Sequence, residues 1–279
     1  MRKRKPDSYK YTYGHLLIVG GSAGMSGALV LAAEAALRSG VGLVTVAAAG
    51  KAAEVVDMRV VEAMTLKVAG GKNDTISRKA VPQISDFIKK KRINTVVLGN
   101  GMGVNASLLP LCRSVINTFL PVVIDADGLN NISQDIKILG RRNSPLVLTP
   151  HQGEFMRLLG KSPHTKLDAR EGKKLAQSFA LKYNLILVLK SHKTLVTDGK
   201  RFFENKRGNP GMATAGVGDV LAGVIGAFIA QGLDMFSAAK YGVYIHSQAA
   251  DLAAKEKGEL SLIASDIIDY LPLAIKSGS

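Results

Sequence analysis

The chain has 279 residues and a mass of 29.6 kDa. Its 47% hydrophobic and 21% charged residues are ordinary globular usage, which excludes a disordered or fibrous protein. Lysine and arginine number 37 against 22 aspartates and glutamates, and a net charge of +15 is typical of nucleic-acid binders or of proteins with polyphosphorylated substrates. The single cysteine, Cys112, excludes a disulfide framework and an all-cysteine metal site, and favours a reducing cytoplasm.

No secretory or membrane-spanning segment is expected. The basic run at residues 2–5 is followed by polar residues rather than by the apolar core of a signal peptide. The apolar stretch at residues 220–230 is too short to span a bilayer. We therefore expect a cytoplasmic protein with one domain over residues 1–279, in which residues 1–13 form a basic extension.

Short apolar runs alternate with longer amphipathic ones along the chain. The short runs predict buried strands at residues 15–20, 43–47, 95–98, 121–124, 146–149 and 186–189. Helical spacing of apolar residues predicts helices at residues 27–39, 77–91, 105–119, 167–183, 219–230, 236–255 and 265–275. Residues 194–197 and 201–204 flank Asp198-Gly199, a pair typical of a type I′ hairpin. The alternation predicts an α/β domain with a central, mostly parallel sheet flanked by helices.

Glycine and polar residues cluster where the predicted strands end. Such loops follow five strands, at residues 20–27, 99–103, 125–128, 150–154 and 190–194. In an open parallel sheet the strands end at one edge, and ligands bind there. A purely structural sheet needs glycine at only one or two of these exits, so the sequence predicts a binding site at this edge.

Small residues at positions 208–218 lead directly into an apolar helix. Main-chain N–H groups converge at such a helix start and, with the helix dipole, form an anion hole suited to phosphate. The residues expected to form it are Ala215, Gly216, Val217 and Gly218. The segment lacks the Lys-Ser/Thr ending of a P-loop and the glycine spacing of a dinucleotide fold. In the first helical turn, Asp219 is expected to stay ionised and to accept a proton from a bound hydroxyl.

Each of these side chains also has an ordinary structural interpretation. Asp219 is suited to capping its own helix, His151 to a turn, and Lys190 to the surface end of a strand. Capping does not explain the glycines before Asp219, which favours the functional interpretation. The five histidines show no metal-ligand spacing, so no metal site built from protein side chains is expected. With no tryptophan and 5% aromatic residues, nucleic acid is an unfavoured partner.

As an ordered set, the segments resemble the ADP/ATP-dependent NAD(P)H-hydrate dehydratase family. The resemblance extends from about residue 14 to residue 271 and is carried by residues 21–28, 98–101, 125–130, 148–154, 189–194 and 208–221. It implies a ribokinase-like, three-layer fold. It also implies a lyase that returns the S epimer of hydrated NADH or NADPH to the reduced dinucleotide, while ADP or ATP becomes AMP or ADP and phosphate. Mg²⁺, held mainly by phosphates and water, and a homo-oligomer such as a tetramer are further implications.

The resemblance also implies roles for individual residues. Ala28, Gly101 and His151 would contact the hydrated nicotinamide nucleotide, and Asp219 would be the catalytic base beside its hydroxyl. The adenine nucleotide would be bound by Lys190, Ser191, His192, Lys193, Thr194 and Gly218. Phosphorylation of the C6 hydroxyl, followed by elimination of phosphate, would restore the dihydropyridine.

The chain departs from the family pattern at two positions. Val217 stands where many relatives have Ser or Thr, so we expect weaker phosphate contacts rather than an inactive enzyme. Asn100 replaces a proline common in the glycine loop, and we expect little consequence. Many bacterial relatives carry a fused N-terminal epimerase domain. Since only about fourteen residues precede the first predicted strand here, we expect that activity to come from elsewhere.

A second enzyme class fits the same residues. A ribokinase-like kinase of a small alcohol or vitamin precursor would have the same anion hole and the same aspartate. Product analysis separates the two, because a kinase leaves a stable phosphorylated alcohol and the dehydratase releases phosphate.

Overall fold

A nine-stranded sheet organises the chain, of which the computed structural model describes residues 4–71 and 74–278. Its strands are β1 (His15–Val19), β2 (Leu43–Ala49), β3 (Met64–Val68), β4 (Thr95–Leu98), β5 (Val122–Ile124), β6 (Leu146–Leu148), β7 (Ile186–Leu189), β8 (Leu195–Thr197) and β9 (Phe202–Glu204). Their order is β3-β2-β1-β4-β5-β6-β7-β8-β9. The strands from β3 to β7 in this order pair in parallel, whereas β8 pairs antiparallel with both β7 and β9. The predicted mostly parallel sheet is confirmed.

Helices cover both faces of the sheet. They are α1 (Ser26–Arg38), α2 (Gly50–Arg59), α3 (Ala80–Lys90), α4 (Leu109–Val115), α5 (Ala126–Ser133), α6 (Gln152–Leu158), α7 (Ala169–Tyr183), α8 (Val217–Ala230), α9 (Met235–Lys257) and α10 (Ala264–Ser277). Residues 2 and 3 of the basic N-terminal run lie outside the described residues. Within the described part of the chain, no helix combines the length and the apolar character that crossing a bilayer requires.

Alternate residues of each strand face opposite sides of the sheet and separate two apolar cores. In β1, Leu16 and Ile18 belong to the core that includes buried residues of α1, α8, α9 and α10, whereas Leu17 and Val19 belong to the core that includes buried residues of the helices α3 to α7. A strand buried on both faces needs apolar residues at every position, which explains the continuous run in β1. The result is a helix–sheet–helix arrangement of three layers.

The structure differs from the sequence prediction in specific segments. The prediction missed α2, β3, α5 and α6. The helix expected over residues 105–119 is shorter, since a 3₁₀ turn at Ala106–Leu108 precedes α4 and the backbone of Phe119 has a φ of +66°. The type I′ turn was wrong, because only Gly199 of the central pair has positive φ. The Asp198 side chain instead accepts hydrogen bonds from the main-chain N–H groups of the next turn residues.

The parallel register brings the carboxyl ends of five strands to one edge. Leu98 of β4 pairs with Ile124 of β5, which pairs with Leu148 of β6. β1 lies beside β4, and β7 beside β6. The residues that follow these five strands are therefore neighbours at one edge, together with the start of α8.

Candidate active site

Two glycines let the main chain of neighbouring loops approach closely. Gly99 has a φ of +122°, and a Cβ there would lie 2.1 Å from the carbonyl oxygen of Asp125. Gly101 has a φ of +59°, and a Cβ there would lie 2.5 Å from the carbonyl oxygen of Met25 and 3.2 Å from the Ala28 side chain. Both positions require glycine, because a side chain would have no space and the backbone conformation is left-handed. The loop after β4 thus packs closely against the loop after β5 and the first turn of α1.

A buried ion pair lies at the ends of β5 and β7. The Asp125 carboxylate, 1% exposed, accepts hydrogen bonds at 2.7 Å from both Lys190 Nζ and Thr149 Oγ1. Lys190 Nζ also lies 3.9 Å from Glu154 Oε2. Burial acts to lower the pKa of Lys190, but the charges of Asp125 and Glu154 outweigh it and raise that pKa. Lys190 therefore carries a fixed positive charge at this edge.

Asp219 lies in the first turn of α8, beside this pair. Its Oδ1 accepts a hydrogen bond of 2.7 Å from Asn100 Nδ2. Burial raises the pKa of Asp219 to about 7, and the charge of Asp125 adds to the rise, whereas the Asn100 hydrogen bond and Lys190 oppose it. The position at a helix start alone predicts a fully ionised Asp219 carboxylate. Because burial raises its pKa to about 7, the carboxyl group is only partly ionised at neutral pH. A carboxyl group with a pKa near neutrality is suited to general base catalysis.

His151 has a structural role at the start of α6. Its Nδ1 accepts hydrogen bonds from the main-chain N–H groups of Gly153 at 3.0 Å and Glu154 at 3.3 Å, and Glu154 accepts one from the His151 main chain in return. Because Nδ1 is the acceptor, Nε2 carries the ring proton. Burial and the charge of Lys190 lower the pKa of His151, so the ring is neutral at pH 7. Half of the side chain is exposed at the sheet edge, and its Nε2 lies 3.4 Å from Glu154 Oε1.

A cavity of about 420 Å³ opens where the loop after β7 meets the start of α8. Five of the six residues predicted to bind the adenine nucleotide line it: Lys190, Ser191, His192, Thr194 and Gly218. Lys193 instead lines a second cavity, of about 270 Å³, which shares Lys190, Ser191 and His192 with the first. Val217 lines the first cavity, whereas Ala215 and Gly216 are not among its lining residues. The space that a side chain of Gly216 would occupy is filled by Leu31 of α1.

Several residues that line this cavity were not predicted from the sequence, and one of them is a buried histidine, His246. It lies inside α9, is 4% exposed, and burial lowers its pKa to about 4. Its Nε2 finds no hydrogen-bond partner among residues 4–71 and 74–278. The apolar sequence around His246 predicts an ordinary core helix, so only the structure reveals that the ring lines the cavity.

Asp219 is adjacent to two groups of predicted site residues. On one side, Asn100 donates a hydrogen bond to Asp219 and is followed in the chain by Gly101, which lies close to Ala28. On the other side, Gly218 directly precedes Asp219 and lines the cavity. A Cβ at Gly218 would lie 3.2 Å from Lys190 Nζ, which places the ammonium group against the helix start. The arrangement can hold an anion beside a carboxylate of near-neutral pKa. Within the described part of the chain, no three His, Cys, Asp or Glu side chains are grouped as a metal site.

Comparison with known proteins gives concordant results. Residues 16–273 match the family described as NAD(P)H-hydrate dehydratase. The ADP-dependent (S)-NAD(P)H-hydrate dehydratase of Neisseria meningitidis is 38% identical over 280 residues, which cover 95% of this chain and 86% of that protein. The chain spans about half, 52%, of the length of the bifunctional NAD(P)H-hydrate repair enzymes that it also matches.

Solved structures resemble the chain over almost its whole length. The ADP/ATP-dependent NAD(P)H-hydrate dehydratase of Bacillus subtilis, co-crystallised with ATP and Mg²⁺, has a TM-score of 0.83 at 26% identity, covering all of this chain (100%) and 95% of that one. A ribokinase-like superfamily protein from Enterococcus faecalis has a TM-score of 0.82 at 29% identity, covering 99% and 91%. The expected ribokinase-like fold is confirmed.

Proposed function

The chain belongs to the NAD(P)H-hydrate dehydratase family, and from that premise we propose that it dehydrates the S epimer of hydrated NADH or NADPH at the expense of ADP or ATP. The observation that carries the proposal is the position of Asp219. Its carboxyl group, with a pKa of about 7, lies between the loop at residues 99–103 and Gly218, which lines the cavity. A base between two binding regions suits a transfer between two bound molecules.

The two regions take different substrates in this proposal. Ala28, Gly101 and His151 contact the hydrated nicotinamide nucleotide, beside Asp219. The adenine nucleotide occupies the 420 Å³ cavity, in contact with Lys190, Ser191, His192, Lys193, Thr194 and Gly218. The N–H groups of residues 215–218 form the anion hole for its phosphates, in which Val217 and Gly218 line the cavity itself. Lys193 lines the neighbouring 270 Å³ cavity together with Lys190, Ser191 and His192.

The chemistry follows from the poor leaving ability of hydroxide. Asp219 takes the proton of the C6 hydroxyl while the hydroxyl oxygen attacks the terminal phosphorus of ADP. The bond between that phosphorus and the AMP oxygen breaks. Lys190 and the anion hole stabilise the transferred charge. The lone pair of the ring nitrogen then expels phosphate from C6, and loss of a proton from C5 forms the ring double bond. The products are NADH or NADPH, AMP and phosphate, and with ATP the nucleotide product is ADP.

In this proposal, Mg²⁺ binds together with the adenine nucleotide. Asp125 is already engaged by Lys190 and Thr149, and no protein metal site is grouped within the described residues. The residues present therefore fit an ion held mainly by phosphate oxygens and water, which neutralises phosphate charge when bound. The B. subtilis relative was co-crystallised with ATP and Mg²⁺.

The test is turnover of hydrated NADH, with ADP and ATP compared side by side. We expect recovery of absorbance at 340 nm and release of phosphate, and we expect Asp219→Ala to abolish both while the variant still binds ADP. Full activity of Asp219→Ala would remove Asp219 from the mechanism. A stable phosphorylated alcohol in place of released phosphate would instead indicate the kinase alternative.

The biological setting is part of the same proposal. We propose that residues 1–279 work as one dehydratase domain in the cytoplasm and that the chain forms a homo-oligomer. Small molecules are its partners, rather than nucleic acid or membrane. The one cysteine, Cys112, is a buried free thiol, which is compatible with a reducing compartment.

A further inference from the structure

Asn100 is buried between two carboxylates at the end of β4. Its side chain is 0% exposed. Its main-chain oxygen accepts a hydrogen bond of 2.9 Å from the Gly21 N–H, and a Cβ on Gly20 would lie only 2.3 Å from the same oxygen. Because the backbone is held this closely, the side chain has few alternative positions, and its contacts are fixed by the fold.

The amide of Asn100 directs its hydrogens toward carboxylates. Nδ2 lies 2.7 Å from Asp219 Oδ1 and 3.5 Å from Asp125 Oδ2. An amide nitrogen carries two hydrogens, so each carboxylate can receive one. Oδ1 of Asn100 is buried and has no hydrogen-bond partner among the residues that the structure describes. The reverse orientation would place this oxygen against the two carboxylates, so they fix the direction of the amide.

We infer that Asn100 is a positioning residue of the proposed dehydration, which favours the ionised form of Asp219 and holds one of its oxygens in place. This inference rests on the proposed function, in which Asp219 is the base. The hydrogen bonds of the described residues engage Oδ1 of Asp219 and leave Oδ2 unengaged. Oδ2 is thereby free to accept the proton of the substrate hydroxyl.

The charges around Asp219 explain what a donor contributes there, and they correct the expectation that Asn100 in place of proline has little consequence. Asp125 at the end of β5 and Asp127 in α5 both disfavour its ionised form, as does burial, the largest effect. Lys190 at the end of β7 and the Asn100 hydrogen bond favour the ionised form. Lys190 is already bound to Asp125 at 2.7 Å, so Asn100 is the neighbour that bonds directly to Asp219. Removing it will raise the pKa of Asp219 further.

The test compares the wild type with Asn100→Leu, which has a similar shape and no donor. The Asp219 carboxyl carbon is titrated by ¹³C NMR, and its resonance is assigned by comparison with Asp219→Asn, in which it is lost. In parallel, kcat is measured from pH 6 to pH 9 with ADP and hydrated NADH. We expect the titration midpoint to rise by roughly one pH unit, which makes kcat about tenfold lower at pH 6 and nearly normal at pH 9. The KM for ADP should change little.

Asn131→Leu is the matched control. Asn131 is also 0% exposed, but its amide donates to the main-chain oxygens of Gly103 and Asp127 rather than to a carboxylate. The control should reduce stability without moving the Asp219 midpoint. An equal loss of kcat for Asn100→Leu at every pH, or an unchanged midpoint, would show a purely structural role and overturn the inference.

Two further outcomes remain decisive. If the wild type does not turn over hydrated NADH, the proposed function fails, while the NMR midpoints still decide whether Asn100 controls the ionisation of Asp219. If Asn100→Leu does not fold, Asn100→Ala takes its place. This variant also removes the donor and adds no charge, so it should raise the midpoint as well, and an unchanged midpoint would refute the inference.

Discussion

Replacing Asp219 by asparagine should stabilise the protein, and more so at high pH. The folded state raises the pKa of Asp219 from 3.8 to about 7, so it binds this proton more tightly than the unfolded state does. Stability is therefore lost as the pH rises from about 4 to about 7. A difference of about three pH units corresponds to about 4 kcal/mol in total, of which about 3 kcal/mol falls between pH 5 and pH 8.5. The amide of the Asp219→Asn variant carries no charge at any pH and avoids this loss.

The assay is urea unfolding of the wild type and Asp219→Asn at pH 5 and pH 8.5. The stability difference between the two proteins should increase by about 3 kcal/mol over this range, because the contributions of all other titrating groups cancel. Asp57→Asn is the control, since Asp57 is exposed on α2 and the variant makes the same substitution at an exposed carboxylate. A constant difference between wild type and Asp219→Asn would show that Asp219 does not titrate near neutrality, and the argument for a poised base would fail.

Three other changes test the site and its surroundings. Lys190→Met removes the ammonium group from the buried Asp125 carboxylate. We therefore expect the free energy of unfolding, measured in urea, to fall by about 3 kcal/mol and turnover to be lost. Unchanged stability would contradict a buried ion pair. Gly218→Ala places a Cβ 3.2 Å from Lys190 Nζ, and ADP affinity measured by calorimetry should fall roughly tenfold, by about 1.4 kcal/mol, with little change in stability. Burial raises the pKa of Cys112 to about 12, so Ellman's reagent should label this thiol only in denaturant, and rapid labelling of the native protein would argue against its burial.

The strands β4 and β7 show how much of the fold could be predicted. Both were predicted with the observed bounds, because a strand buried on two faces is a continuous apolar run between polar or glycine residues. β3 was missed, since it lies at the sheet edge and several of its residues are exposed, which removes the apolar signal. α5 and α6 were missed because they begin only two and four residues after the ends of β5 and β6, inside segments interpreted as loops.

The sequence alone therefore determined the α/β architecture, and it predicted the ends of the strands as the place of the site and Asp219 as the candidate base. These features depend on local spacing and on which residues follow a strand. Only the tertiary structure decided that Lys193 faces another cavity, that burial raises the pKa of Asp219, and that Asn100 bonds to it across 119 positions of the chain. Burial and contacts between distant segments exist only after folding, and no local pattern of residues specifies them.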